Sequence, residues 1–334
     1  MAGYYLCVEV EQPSRTKGWS VVLACALAAV LLYFSIRGVD WRTVWRTIAG
    51  ADWRFVAGAI ACTMLSFFLR ALRWRIVLNA EEKFSVGTVF WANSAGYFGN
   101  SFLPARAGEV IRSLAISARS SLTRTYVLTT ALAERVMDAI ALVLWSSVVL
   151  MGIEPKPRWM LDLSRTMGLA AAAGAVVVTA LPHCGGLVEG LLVRVPMPTR
   201  LREILLGLTS EVLQGLRAFH NWVRFAGFTA LTVIIWMIDT FGAMAAARAL
   251  GISMAFRVAM LLLAALGLSS ALPSTPGYVG IYQFVAVTVL GPFGVVRDLA
   301  LAYILVLQAI GYAVVVLFGL PAISKLRLRK SHLQ

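Results

Sequence analysis

Six apolar runs dominate the chain, at residues 19–36, 55–72, 126–152, 167–181, 225–247 and 299–323. About 20 residues of helix cross the hydrocarbon core of a bilayer, so five of these approach or exceed a span, and the fourth needs a thinned bilayer or flanking residues to complete it. No water inside the hydrocarbon satisfies backbone N–H and C=O groups, which leaves helices or closed barrels as spanning structures. Runs this long without two-residue alternation read as helices. Trp19, Trp53, Trp74, Trp159 and Trp222 stand at or beyond the ends of the runs, where an indole suits the membrane interface. Composition agrees: 60% of the 334 residues are hydrophobic and 14% charged, against roughly 25% charged in a soluble domain. The expectation is an all-α polytopic membrane protein.

Lys and Arg number 30 against 16 Asp and Glu. In a soluble protein that excess would suggest nucleic acid; here the basic residues cluster between apolar runs, as expected of loops facing anionic lipid, and no nucleic-acid partner is expected. Cys7, Cys25, Cys62 and Cys184 show no ligand spacing, and His183, His220 and His332 are scattered; neither a metal nor a cofactor is expected. Residues 1–18 carry Glu9 and Glu11 beside Arg15 and Lys17, a poor signal sequence, and the run after them reads as an uncleaved first helix. The expected domains are a cytoplasmic tail at 1–18, one transmembrane domain at 19–323, and a basic cytoplasmic tail at 324–334 containing KLRLRK. The longest polar-leaning segment, 182–224, contains an amphipathic stretch at 196–219 that reads as a surface helix.

Two further apolar stretches are interrupted. Residues 86–103 stop at Pro104 and residues 255–272 stop at Pro273; both breaks fit L-P-x-x-x-G, ending in Gly108 and Gly277, and both follow small residues. Backbone freed by proline at membrane depth is tolerated only inside protein or against a watery cavity, so such pairs point to broken helices around a substrate site. Chance recurrence of a short motif is the alternative. Hinges are expected at Pro104, Gly108, Pro273, Pro276, Gly277 and Gly280. With a cytoplasmic N-terminus and both stretches re-entrant, the basic bias falls on the cytoplasmic side, both termini are cytoplasmic, and the hairpins enter from opposite faces as an inverted repeat.

Charges within membrane segments are costly and mark function by default. The densest group follows the first proline: Arg106, Glu109 and Arg112, spaced by three along one broad helix face. Arginine beside a fresh helix start suits a phosphate, with Glu109 orienting it or taking a proton; a structural Arg–Glu pair is the competing reading. Glu134 and Asp138, beside Arg135, share a face at i,i+4 and would repel unless a cation intervenes, most simply Arg106 or Arg112. Ser274 and Thr275 offer hydroxyls between two prolines. Asp239 reads as an interhelical hydrogen-bonding group near the interface. Arg70, Arg73 and Arg75 read as snorkelling to cytoplasmic headgroups. No nucleophile elbow, P-loop, dinucleotide fingerprint or HExxH occurs.

Four motifs then occur in order: R-A-L-R-W-R at 70–75, L-P-x-R-x-G-E-x-x-R at 103–112, E-R-x-x-D at 134–138 and L-P-x-T-P-G-x-x-G at 272–280. Together they resemble the flippase-like family named after the lysylphosphatidylglycerol synthase transmembrane region, over about residues 20 to 323. The resemblance implies a multi-pass inner-membrane protein that moves, or helps move, a lipid with a charged or sugar-bearing headgroup between leaflets. In aminoacyl-lipid members the region is followed by a soluble aminoacyl-transferase domain; these 334 residues hold none, and lysyl transfer is not expected of them. One departure is Gln283, where the family pattern commonly has Glu. The functional expectation is a lipid translocator whose site uses Arg106, Glu109, Arg112, Glu134, Arg135, Asp138, Ser274 and Thr275. The alternatives are a membrane-embedded lipid or glycolipid transferase, or a non-transporting partner of a lipid-biosynthetic enzyme or glycosyltransferase.

Overall fold

The helix starts are written into the sequence as caps. Asp40 and Asp52 accept the backbone N–H groups of Arg42 and Arg54, Ser85 that of Thr88, and Asn221 that of Arg224, each satisfying a donor that a helix start leaves open. A computed structural model of the chain describes residues 26, 28–103, 107–151, 162, 166, 169, 190, 206–207, 221–270 and 276–328. Among the described residues all regular structure is helical. Helix α1 is described over 28–36; α2 (Trp41–Ala49), α3 (Trp53–Leu78), α4 (Val86–Phe102), α5 (Ala107–Ser117) and α6 (Arg124–Met151) follow. After them come α7 (Trp222–Ala249), α8 (Phe256–Ser269), a short turn of helix at Pro276–Tyr278, α9 (Ile281–Leu290) and α10 (Arg297–Leu328).

Among the described residues three helices are long and apolar enough to cross a bilayer: Trp53–Leu78 with 26 residues, Trp222–Ala249 with 28 and Arg297–Lys325 with 29. At about 1.5 Å per residue each exceeds the roughly 30 Å hydrocarbon core. Helix α6 is as long, 28 residues, but carries Glu134, Arg135 and Asp138 along its length. The expected runs at 55–72, 126–152, 225–247 and 299–323 thus lie within or almost within helices α3, α6, α7 and α10. The run at 167–181 and the amphipathic stretch at 196–219 lie essentially outside the described residues, as does the tail at 1–18. Of the basic tail at 324–334, the first residues continue α10 as far as Leu328.

Contacts between helix ends give the directions. Asp52 N–H donates to Ala249 O at 2.9 Å, joining the start of α3 to the end of α7. The two helices pack antiparallel along their length, Gly242 against Cys62 and Gly227 facing Ile76. Arg297 Nη1 donates to Arg37 O at 2.7 Å, so α1 ends where α10 begins. At the far end Trp74, Leu78, Phe84, Val89, Ile116 and Val127 form one buried cluster, and Lys325 Nζ sits 3.8 Å above the Trp91 ring. Helices α4 and α5 therefore leave from and return to the far end. Helices α8 and α9 return the chain to the α2 end, where Leu250, Met254, Leu290 and Ala300 share a core.

A helix ends just before each L-P-x-x-x-G segment, α4 at Phe102 and α8 at Ser269. Leu103, just before Pro104, is extended (φ −108°, ψ 148°), the conformation a following proline imposes. Pro104, Ala105 and Arg106 lie outside the described residues, as do residues 271–275 with Pro273, Ser274 and Thr275. The two motif glycines behave differently. Gly108 is helical, and a Cβ there would strike Gly96 O and the Asn100 side chain, so it lets α4 and α5 touch backbone to backbone. Gly277 takes φ 71° beneath the Tyr312 hydroxyl, and Gly280 takes φ 91° against Ala28 O, a region that L side chains avoid.

Candidate functional site

Helix α3 carries a polar stripe, Thr63, Ser66, Arg70 and Arg73, spaced by three or four so that it faces inward on an otherwise apolar helix. Arg73 is 1% exposed. Its guanidinium donates to Glu134 Oε1 at 2.8 Å, to Asp138 Oδ1 at 2.6 Å and Oδ2 at 2.8 Å, and to Thr232 Oγ1 at 3.0 Å, with Phe228 beneath it at 4.9 Å. Glu134 and Asp138 do share one face of α6, and a cation does separate them. The cation between them is Arg73 of α3, which bonds both, and Arg112 adds a second partner to Glu134.

Arg112, 2% exposed, donates to Glu109 at 2.6 Å, Glu134 Oε2 at 2.9 Å, Asn93 Oδ1 at 3.1 Å and Ala131 O at 3.2 Å, and lies 4.5 Å from the Trp74 ring. Glu109 also accepts from Arg135 Nε at 3.0 Å. Three arginines and three carboxylates thus form one chain, Asp138–Arg73–Glu134–Arg112–Glu109–Arg135, with formal charge balanced. Such a chain is tolerated at depth because each ion has several charge-assisted partners. Within it Arg112 is enclosed, its guanidinium shared among Glu109, Glu134, Asn93 and Ala131.

The snorkelling expected of the α3 arginines is overturned for Arg73 and Arg70. Arg73 is the centre of the buried chain, Arg70 pairs with Asp239 at 2.6 Å, and Arg75 Nε donates to Phe84 O at 2.6 Å. Asp239 therefore has a specific cation from the facing helix. Apolar periodicity hides these partners because they sit 169 residues apart. The polar stripe on α3 was the available sign.

The exposed end of the charge chain opens into a cavity of about 370 Å³. Glu109 and Arg135, whose side chain is 31% exposed, stand on its wall together with the Arg70–Asp239 pair. Tyr97 and Asn100 reach it from α4, Ser270 from the end of α8, and Tyr278 and Tyr282 from the second break. Residues that flank the two motifs, Asn100, Ser101 and Glu109 for the first and Ser270 and Tyr278 for the second, thus share one cavity. Tyr278 and Tyr282 stack at 4.9 Å and 8°, Tyr97 lies 5.6 Å from the Arg135 guanidinium, and Trp236 lies 5.4 Å from that of Arg70. The cavity can hold an anionic or hydrogen-bonding group against two arginines, two carboxylates and flat aromatic faces.

The second break is neutral. Gly280 N–H donates to Gln283 Oε1 at 2.7 Å, Gln283 Nε2 to Gln308 Oε1 at 2.6 Å, Gln308 Nε2 to Gly277 O at 3.2 Å and Tyr312 OH to Gly277 O at 2.6 Å. Gln283, buried, thus joins the break to α10. Of the expected site residues, Glu109, Arg112, Glu134, Arg135 and Asp138 come together, while Arg106, Ser274 and Thr275 lie outside the described residues.

Two relatives are similar to the chain in sequence at a distance. The chain is 24% identical over 309 residues to "Glycosyltransferase AglD" of Haloferax volcanii, covering 81% of this chain and 49% of the relative, so it spans about half of that protein's length. It is 24% identical over 313 residues to a "UPF0104 membrane protein" of Methanothermobacter thermautotrophicus, covering 88% of this chain and 90% of the relative. The family model described as "Lysylphosphatidylglycerol synthase TM region" matches residues 21–319. With its apolar spans and charge-lined interior, the chain is a multi-pass membrane protein belonging to the lysylphosphatidylglycerol synthase transmembrane-region family.

Proposed function

We propose that the protein translocates an anionic or glycosylated lipid between the leaflets of the cytoplasmic membrane, with both termini cytoplasmic. The observation that carries this reading is the roughly 370 Å³ cavity lined by residues flanking both motifs and walled by the Arg135–Glu109 and Arg70–Asp239 pairs. On this reading α4–α5 and α8–α9 are re-entrant hairpins from opposite faces, an inverted repeat that places the site near mid-membrane. The headgroup enters the cavity and engages Arg135 and Arg70, taking over part of the hydrogen bonding that Glu109 and Asp239 now provide. Arg73 and Arg112 hold the site in shape without touching lipid.

The test uses pure protein in liposomes carrying a headgroup-labelled anionic lipid, with transfer followed by a membrane-impermeant quencher. Wild type should transfer label between leaflets, and Arg135→Gln and Arg70→Gln should each slow it by about tenfold or more, equivalent to roughly 1.4 kcal/mol or more of lost charge-assisted binding. Wild-type rates in both variants would sink the site assignment.

A second reading, a membrane-embedded lipid or glycolipid transferase, is favoured by the glycosyltransferase name of the Haloferax relative. Since this chain matches about half of that protein, the discriminating measurement is lipid mass in the same liposomes. A change of mass supports the transferase, and a change of sidedness alone supports the translocator. A protein inert by both measures but co-purifying with a biosynthetic enzyme would be a non-transporting partner.

A further inference from the structure

Helix α2 sorts its side chains into three stripes. Val44 and Ile48 pack into the core beside α10. Trp41 and Trp45, four residues apart, form the next stripe and are 42% and 62% exposed. Arg42 and Arg46 form the stripe beyond, both exposed. The order buried, aromatic, cationic around one short helix is that of a helix lying in a membrane interface, with indoles at headgroup level and guanidiniums toward the phosphates. Its place in the chain demands the same, because α2 is joined by short connections to α1 and to the spanning helix α3.

The surroundings add charge of one sign. Arg37, Arg54, Arg248 and Arg297 are exposed at the same end of the molecule, which the Arg297–Arg37 and Asp52–Ala249 hydrogen bonds hold together. Trp53 beside them is 72% exposed. Among the described residues, the acids at this end include Asp40, Asp52 and Asp298. Asp40 and Asp52 are occupied in capping α2 and α3, and Asp298 sits in the first turn of α10, where it complements the helix N-terminus. Among the described residues, Arg42, Arg46 and Arg54 form no ion pair. The basic end of α10, with Lys325, is at the opposite end, so this excess of arginine is not the cytoplasmic tail.

We propose that the α2 end is a docking surface for anionic phospholipid headgroups, held by Arg42, Arg46 and Arg54 and seated by Trp41, Trp45 and Trp53. The occupant is lipid because the arginines project past an aromatic stripe on a helix tied between membrane helices, and charge complementarity then selects a phosphate-rich surface. This inference stands apart from translocation: the surface lies on the outside of the bundle and shares no residue with the cavity.

The full chain is reconstituted in vesicles, and its association with spin-labelled phosphatidylglycerol is compared with that of spin-labelled phosphatidylcholine. Wild type should prefer the anionic probe by about fivefold or more at low salt, with the preference shrinking as salt screens it. Combined Arg42→Gln, Arg46→Gln and Arg54→Gln should remove most of that preference. The corresponding three lysine substitutions should keep it, since the charge is retained. The fluorescence component lost on Trp45→Phe should be quenched by lipid labelled near the headgroup more than by lipid labelled at the chain end. An unchanged preference in the glutamine variant overturns the proposal, as does a Trp45 that lipid quenchers do not reach, the result expected if a protein partner covered this face. Because leaflet transfer is scored separately, failure here leaves the cavity reading intact, and the reverse also holds.

Discussion

Arg73 and Arg135 carry the same charge in the same network, yet substitution should separate them. Removing one partner of an enclosed ion pair strands the other, at about 3–5 kcal/mol, whereas a partly solvated ion recovers water. Arg73→Gln leaves Asp138 and half of Glu134 without their cation, so it should lower thermal stability in detergent by about that much. Arg135→Gln, on the cavity wall, should unfold close to wild type while impairing transfer. Equal destabilisation by the two would mean that the cavity does not admit water. Part of this was legible from residues alone: the i,i+4 pair Glu134 and Asp138 required a cation, and one is present. Arg112 was legible as a partner of Glu134; Arg73 was not, because an arginine at a helix end reads as an interface residue until the facing helix places carboxylates around it.

At the scale of elements the two breaks share a motif but not a mechanism, and glycine substitutions should expose the difference. Gly108→Ala drives a methyl into Gly96 O and should separate α4 from α5, seen as loss of folded protein on size-exclusion chromatography. Gly277→Ala meets both a positive φ and the Tyr312 hydroxyl, the backbone strain alone costing about 1–2 kcal/mol; adding Tyr312→Phe should restore part of the loss, which it cannot do for Gly108→Ala. Gly58→Ala is the control, since nothing lies within 4 Å of its added methyl, and it should be neutral or stabilising by up to about 1 kcal/mol. Proline and glycine spacing announced both breaks because they act on their own backbone. That Gly108 serves close packing while Gly277 serves a left-handed turn depends on neighbours far away in sequence.

For the whole molecule, the cavity and the orientation can be tested together. Cysteine at Ser66 or Ser270, on the cavity wall, should react with a small water-soluble thiol reagent in a background lacking the native cysteines, while cysteine at Leu301, 1% exposed, should not. Protection of all three would close the cavity to a polar headgroup. Reporter fusions before residue 19 and after residue 328 should both report cytoplasm, as expected if α1 and α10 run antiparallel, Arg37 meeting Arg297; opposite reports would overturn the orientation. The sequence by itself determined that the chain lives in a bilayer, where its long helices run and where two of them break. Those properties follow from transfer of apolar side chains out of water and from what proline and glycine permit, both local to the residues concerned. Tertiary structure alone decided which charges are enclosed and which face the cavity, because an ion's partners inside a membrane protein come from helices that only packing brings within hydrogen-bond reach. Arg73 and Arg112 became scaffold, Arg70 and Asp239 became cavity wall, and no spacing along the chain distinguishes those fates.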